Sequence, residues 1–122
     1  MVMVQSISAV TLAVADMRRS VEFYCEGVGL ELLYGGDSAS FTSFRIGKGY
    51  LNLILSPEGG WSWWGRIIFH VDDVDALYQK LLDAGLTPST APEDAPWRER
   101  YFHITDPDGH ELSFAKPLPR PN

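Results

Sequence analysis

Val10-Thr11-Leu12-Ala13-Val14-Ala15-Asp16-Met17 and Ile67-Ile68-Phe69-His70-Val71-Asp72-Asp73-Val74 carry one pattern twice, 57 positions apart (residue 10 against 67, residue 16 against 73). Each stretch is apolar and rich in β-branched residues, which favours a strand. The first then reaches Asp16 and the second Asp72 or Asp73, aspartates suited to capping a helix. After the first, Met17, Val21, Tyr24 and Cys25 recur at helical spacing over residues 17–26, and Gly27 and Gly29 stop the helix. After the second, Val74, Leu77, Leu81 and Leu82 form the helical stripe, which ends near Gly85.

Three strand-like runs follow the first helix: 30–34, 40–46 and 50–55. Gly35-Gly36 and Gly47-Lys48-Gly49 separate them as turns. Ser56 to Trp64 reads as a linker, with Trp61, Trp63 and Trp64 in it. The second half then offers strands at 66–71, 86–90, 98–105 and 111–115. A Pro-rich loop lies at 91–96 and an Asp106-Pro107-Asp108-Gly109 turn before the last strand. Residues 116–122 read as a frayed tail.

The repeat predicts an α+β fold of two βαβββ modules. Module 1 spans about 7–56, the linker 57–64 and module 2 about 65–116, all within a single domain of residues 1–122. One such module is too small to bury its own sheet face. Two together are expected to form a curved, cup-like mixed sheet, helices outside and a concave inner face open to a ligand.

The chain has 122 residues, 45% hydrophobic and 21% charged, which is ordinary for a globular domain. Its net charge is −6, and no basic run interrupts the sequence, so nucleic acid is not an expected partner. No apolar run approaches the roughly 20 residues of a membrane span. Met1 to Val10 lacks the pattern of a secretory leader, and Cys25 is the single cysteine, so a reducing, cytoplasmic setting is expected. Cys25 reads as a structural thiol.

The ordered motifs resemble a known family. Asp16-Met17-Arg18-Arg19-Ser20-Val21-Glu22-Phe23-Tyr24 followed by Gly27-Val28-Gly29-Leu30 is similar to the first module of vicinal oxygen chelate proteins. Phe69 to Val74 is similar to the opening of the second. Pro96-Trp97, Arg100-Tyr101-Phe102 and Asp106 to Leu112 are similar to its close. The superfamily includes glyoxalase I, extradiol dioxygenases, fosfomycin-modifying enzymes and bleomycin-resistance binding proteins. Function must still be argued from the site.

In metal-dependent members, ligands sit on the first and last strand of each module. The resemblance places those positions at Ala9, Asn52, Arg66 and Ser113. Alanine has no donor atom, arginine is a fixed cation, and asparagine and serine are weak neutral donors. No metal and no other cofactor is therefore expected.

Strand alternation from these four positions turns Thr11, Ala13, Tyr50, Ile54, Ile68 and His70 toward the same inner surface. The resemblance adds Trp97, Tyr101 and His103, with Glu99 on the same parity. The expected ligand-binding set is thus Thr11, Tyr50, Asn52, Arg66, His70, Trp97, Tyr101, His103 and Ser113. Aromatic walls suit a planar ligand. Arg66 has two readings: an anchor for a ligand anion, or a structural ion pair with Glu99 or Glu111. Trp61, Trp63 and Trp64 read as a dimer seam or linker clamp, and His110 as an exposed residue after the turn.

The leading expectation is a metal-free binding protein for a small organic molecule, planar and aromatic or cationic, acting as a homodimer. Two enzymatic alternatives stay open. One is a metal-dependent lyase or dioxygenase with unorthodox ligands such as His70, His103 and Glu99. The other is a metal-free isomerase or lyase with His103 and Tyr101 as acid and base.

Overall fold

The structure is a computed structural model describing residues 2–3, 5–59, 62 and 64–119. The chain divides into two compact units, Met1–Gly60 and Trp61–Asn122. The first runs β1 (Ala9–Val14), α1 (Met17–Val21), a π-helical segment (Glu22–Val28), β2 (Glu31–Tyr34), β3 (Phe41–Ile46) and β4 (Gly49–Leu55). The second runs β5 (Arg66–His70), α2 (Val74–Asp83), β6 (Glu93–Asp94), β7 (Glu99–Thr105) and β8 (Glu111–Pro117). The sheets are ordered β1-β4-β3-β2 and β5-β8-β7-β6. In each, the first strand pairs parallel with the last and the other pairs are antiparallel. This is the expected α+β class with its βαβββ order used twice.

The repeated aspartates do the same work in both units. Asp16 Oδ1 accepts the Arg19 N–H at 3.1 Å, and Asp73 Oδ1 accepts the Ala76 N–H at 3.0 Å. Both residues are extended at the cap, as a side chain reaching back to the first helical turn requires.

Period-two burial then assigns the sheet faces. In the first unit Leu12, Val14, Phe44, Leu51 and Leu53 are buried with Met17, Val21 and Tyr24 of the helical segment. Thr42 Oγ1 donates to Met17 Sδ at 3.2 Å, tying β3 to α1. In the second unit Phe102, Ile104, Leu112 and Phe114 are buried with Val74 and Leu81 of α2. The Tyr78 ring meets Phe102 edge-on, with centroids 5.4 Å apart. Each fully buried aliphatic or aromatic side chain of this kind contributes roughly 1.5–3 kcal/mol. The alternate residues lie on the opposite face of each sheet, which among the described residues carries no helix of its own unit.

Several boundaries differ from expectation. The first helix is α-helical for five residues only and continues as a seven-residue π-helical segment. It ends where the Gly29 and Leu30 N–H groups both reach the Tyr24 carbonyl, with Gly29 at φ 92; glycine takes that left-handed position readily. Leu82 lies on the exposed side of α2, and Tyr78 takes its place in the packing stripe.

No strand forms at 86–90. Pro88 removes a ladder donor there, and the pairing strand is β6, inside the expected loop. Segment 86–90 still attaches to β7, because the Ser89 N–H reaches the His103 carbonyl at 2.8 Å. The tail is ordered further than expected. β8 runs to Pro117, and the Leu118 N–H donates to the Arg98 carbonyl at 2.9 Å. At Gly35, φ is 84 and a Cβ would lie 2.2 Å from the Phe41 carbonyl oxygen, so only glycine fits that turn.

Candidate functional site

The register of the second sheet collects most of the expected site residues on its helix-free face. Parallel pairing sets Arg66 opposite Glu111, Ile68 opposite Ser113 and His70 opposite Ala115. Antiparallel pairing then sets Ser113 opposite His103 and Ala115 opposite Tyr101, and Tyr101 opposite Glu93. Two rows therefore cross the sheet: Ile68, Ser113, His103, and His70, Ala115, Tyr101, Glu93.

Hydrogen bonds knit these rows. Arg66 Nη2 donates to Glu111 Oε2 at 2.8 Å. Of the two ion-pair partners considered for Arg66, the structure selects Glu111. Glu99 instead joins two rings: Trp97 Nε1 donates to its Oε1 at 2.9 Å, and His70 Nε2 lies 3.1 Å from its Oε2. The Tyr101 hydroxyl donates to Glu93 Oε1 at 2.6 Å. His103 Nδ1 lies 2.5 Å from the Oγ of buried Ser113. The Trp97 ring stacks on Tyr101 with centroids 5.7 Å apart, and Tyr101 meets His103 at 5.0 Å. Trp97 remains 63% exposed, so one side of the stack is open to solvent.

This environment moves two titrations apart. Burial, helped by the Arg66 charge and opposed by Glu111 and Glu93, holds His103 below its usual value. The hydrogen bond to Glu93, with burial and the Glu93 charge, holds the Tyr101 hydroxyl above its usual range against the pull of Arg66. The face thus presents a neutral imidazole beside a protonated phenol at neutral pH. It also carries three carboxylates, Glu93, Glu99 and Glu111, against one guanidinium.

The other expected residues lie on the helix-free face of the first sheet. Ala9 pairs with Tyr50 and Thr11 with Asn52. Asn52 Nδ2 donates to Thr11 Oγ1 at 3.4 Å. Sequence reasoning missed Arg45, whose guanidinium carbon sits 5.6 Å from the Tyr50 ring centroid and whose Nε lies 4.0 Å from Glu31. It also missed Glu93, because β6 is two residues long and shows no alternation to read.

One expectation is overturned. His110 is buried, at 5% exposure. Its N–H donates to Asp106 Oδ1 at 2.9 Å, and its Nδ1 accepts the Trp64 indole N–H at 2.8 Å. The Asp106 carboxylate folds the turn back over itself and draws the histidine inward. Trp64 is therefore clamped to the last turn of its own unit. Trp61 and Trp63 lie outside the described residues.

A divalent metal fits poorly. At the four positions where the resemblance places ligands, Ala9 offers no donor, Arg66 donates to Glu111, Asn52 donates to Thr11, and the Ser113 hydroxyl lies against His103 Nδ1. Among the described residues, no three His, Cys, Asp or Glu side chains are grouped to hold an ion.

Two βαβββ units in succession, each with its first strand parallel to its last, define a class of fold. The model of the Glyoxalase/Bleomycin resistance protein/Dioxygenase superfamily matches residues 6–114, and the chain belongs to that superfamily. A bleomycin resistance protein of Geobacillus stearothermophilus is 29% identical over 134 residues, covering 95% of this chain and 98% of the relative. Among solved structures, TioX from Micromonospora sp. ML1 superposes with a TM-score of 0.76 at 24% identity, over 93% of this chain and 100% of that one. Lactoylglutathione lyase from Agrobacterium tumefaciens does so with a TM-score of 0.76 at 20% identity, over 91% and 92%. The two structures are alike in fold; at such identities they carry no shared activity. Among the described residues no helix is long and apolar enough to cross a membrane.

Proposed function

We propose that this protein binds a planar, positively charged organic molecule on the helix-free face of its second sheet, without a metal, and sequesters it. The observation that carries the reading is the Trp97–Tyr101 stack bracketed by Glu99 at one ring and Glu93 at the other. An exposed indole face attracts a flat ring and, through its quadrupole, a cation. Carboxylates beside it add attraction for positive charge and disfavour an anion. A relative named for bleomycin resistance supports a small-molecule ligand.

The test compares two ligands of one shape by calorimetry: 9-aminoacridine, a cation at neutral pH, and acridine-9-carboxylate, an anion. The cation should bind more tightly, and Trp97→Ala should weaken it about fivefold, the ~1 kcal/mol of a stacked aromatic contact. Equal binding of both ligands, or an unaffected Trp97→Ala variant, would count against the reading. Homodimerisation belongs to the same proposal, and a monomer at micromolar concentration in sedimentation equilibrium would remove it.

A second reading has its own observation. His103, kept neutral and held by Ser113, stands beside protonated Tyr101. Groups whose titrations are pushed apart in this way can serve as base and acid. It predicts deuterium uptake from heavy water into a carbonyl compound carrying an acidic C–H, lost in His103→Ala while binding persists.

A further inference from the structure

The hairpin loop that displays Trp97 places an arginine where glycine is the ordinary choice. Between β6 and β7, the Ala95 N–H reaches the Glu99 carbonyl at 2.7 Å, and the Arg98 N–H reaches the Ala95 carbonyl at 3.0 Å. Pro96 sits second in the resulting turn, where its fixed φ is suited. Arg98 follows with φ 70 and is the only non-glycine at positive φ among the described residues. A turn closed by a left-handed residue is a common three-residue hairpin loop, and a side chain at that last position is strained. Such a residue persists only when its surroundings hold it there.

What holds Arg98 is the segment after β8. Its carbonyl accepts the Leu118 N–H at 2.9 Å, and its guanidinium donates to the Pro119 carbonyl. Backbone and side chain of one strained residue are both fastened to residues 118–119. The residue just before it is Trp97, whose indole N–H is given to Glu99 and whose ring lies on Tyr101. A glycine would relieve the strain but would leave out the side-chain bond.

We propose that Arg98 is a positioning residue, and that Leu118–Pro119 is a strap acting through it to set Trp97 over Tyr101. The inference rests on Trp97 belonging to the binding face. It makes the affinity of that face depend on a segment with no residue in it. Stability and Trp97 order should also separate, since glycine at 98 eases the backbone while it loosens the strap.

The test reads the Trp97 indole N–H resonance in 15N-labelled protein without ligand, assigned by its loss in Trp97→Phe. Arg98→Gly and deletion of residues 118–122 should each shift or broaden that resonance. The thermal midpoint of Arg98→Gly should hold or rise. Binding of 9-aminoacridine should weaken about fivefold in both, as for a displaced stacked ring. Arg98→Lys, which keeps a cationic donor, should lie between. An unchanged indole resonance in both variants overturns the proposal. So does a fall in the midpoint of Arg98→Gly with the resonance in place, which would leave Arg98 a purely structural role. If the resonance moves but wild-type protein binds no acridine, the strap stands and the binding reading of the face fails.

Discussion

Arg66 and Glu111 face each other in register on parallel strands and close an ion pair at 2.8 Å. Arg66 stands where metal-dependent relatives are expected to present a ligand, so the pair sets a fixed cation there. Tag-free protein should therefore hold no stoichiometric zinc, nickel, iron or manganese by elemental analysis. Adding these ions should not raise its thermal midpoint, whereas a site filled at 100 times its dissociation constant would add about 2.7 kcal/mol. Stoichiometric metal in the purified protein would overturn the metal-free reading.

His103 makes stability depend on pH below neutrality. Its folded value lies below the ordinary histidine value of 6.5. Between those two values the unfolded chain binds more protons than the folded one, so stability rises with pH across that window and levels off above it. Acidification from pH 6.5 should consequently erode stability. His103→Gln should flatten that part of the profile in urea unfolding at a series of pH values. A profile in the variant as steep as in wild type would show that other groups carry the dependence.

Tyr101 acts at the other end of the scale. Its folded value lies above the ordinary tyrosine value of 10.0, chiefly because its hydroxyl is bound to Glu93. Above pH 10.0 the unfolded chain loses its proton first, so stability falls as pH rises toward the folded value. Glu93→Gln should remove the charge while keeping an acceptor, and move the Tyr101 ionisation downward. Alkaline difference absorbance against Tyr101→Phe isolates this one phenol. An ionisation that stays in place would mean burial, not Glu93, sets it.

What could be read before folding was considered follows a physical division. Periodicity and capping are local, so β1 and β5, the Asp16 cap and the strand parities of Arg66, His70, Tyr101 and His103 were legible, while the second cap stood open between Asp72 and Asp73 until the structure gave Asp73. Partner choice is not local. Arg66 had two candidate carboxylates at the right parity, and only the β5–β8 register distinguishes Glu111 from Glu99. His110 was misjudged because a residue after a turn glycine is usually exposed, whereas here Asp106 folds the turn inward. Glu93 and Arg98 escaped notice because their roles depend on a two-residue strand and a left-handed backbone, neither of which leaves a pattern in side-chain polarity.

The two caps give a test of the repeat itself. Asp16 and Asp73 bond the same backbone position of their helices at nearly equal length, 3.1 and 3.0 Å. Asp→Ala at either should cost about 1 kcal/mol. The two substitutions lie in separate units and share no hydrogen bond, so their effects should add within about 0.5 kcal/mol. The consequences should nonetheless differ in place. Asp73 caps the ten-residue α2, whose Val74 and Leu81 pack beneath the sheet that bears Trp97, Tyr101 and His103. Hydrogen exchange should accordingly speed up in α2 and β7 for Asp73→Ala, and in α1 and β4 for Asp16→Ala. If either variant loosened both units alike, the chain would open as one cooperative body and the repeat would have no energetic independence.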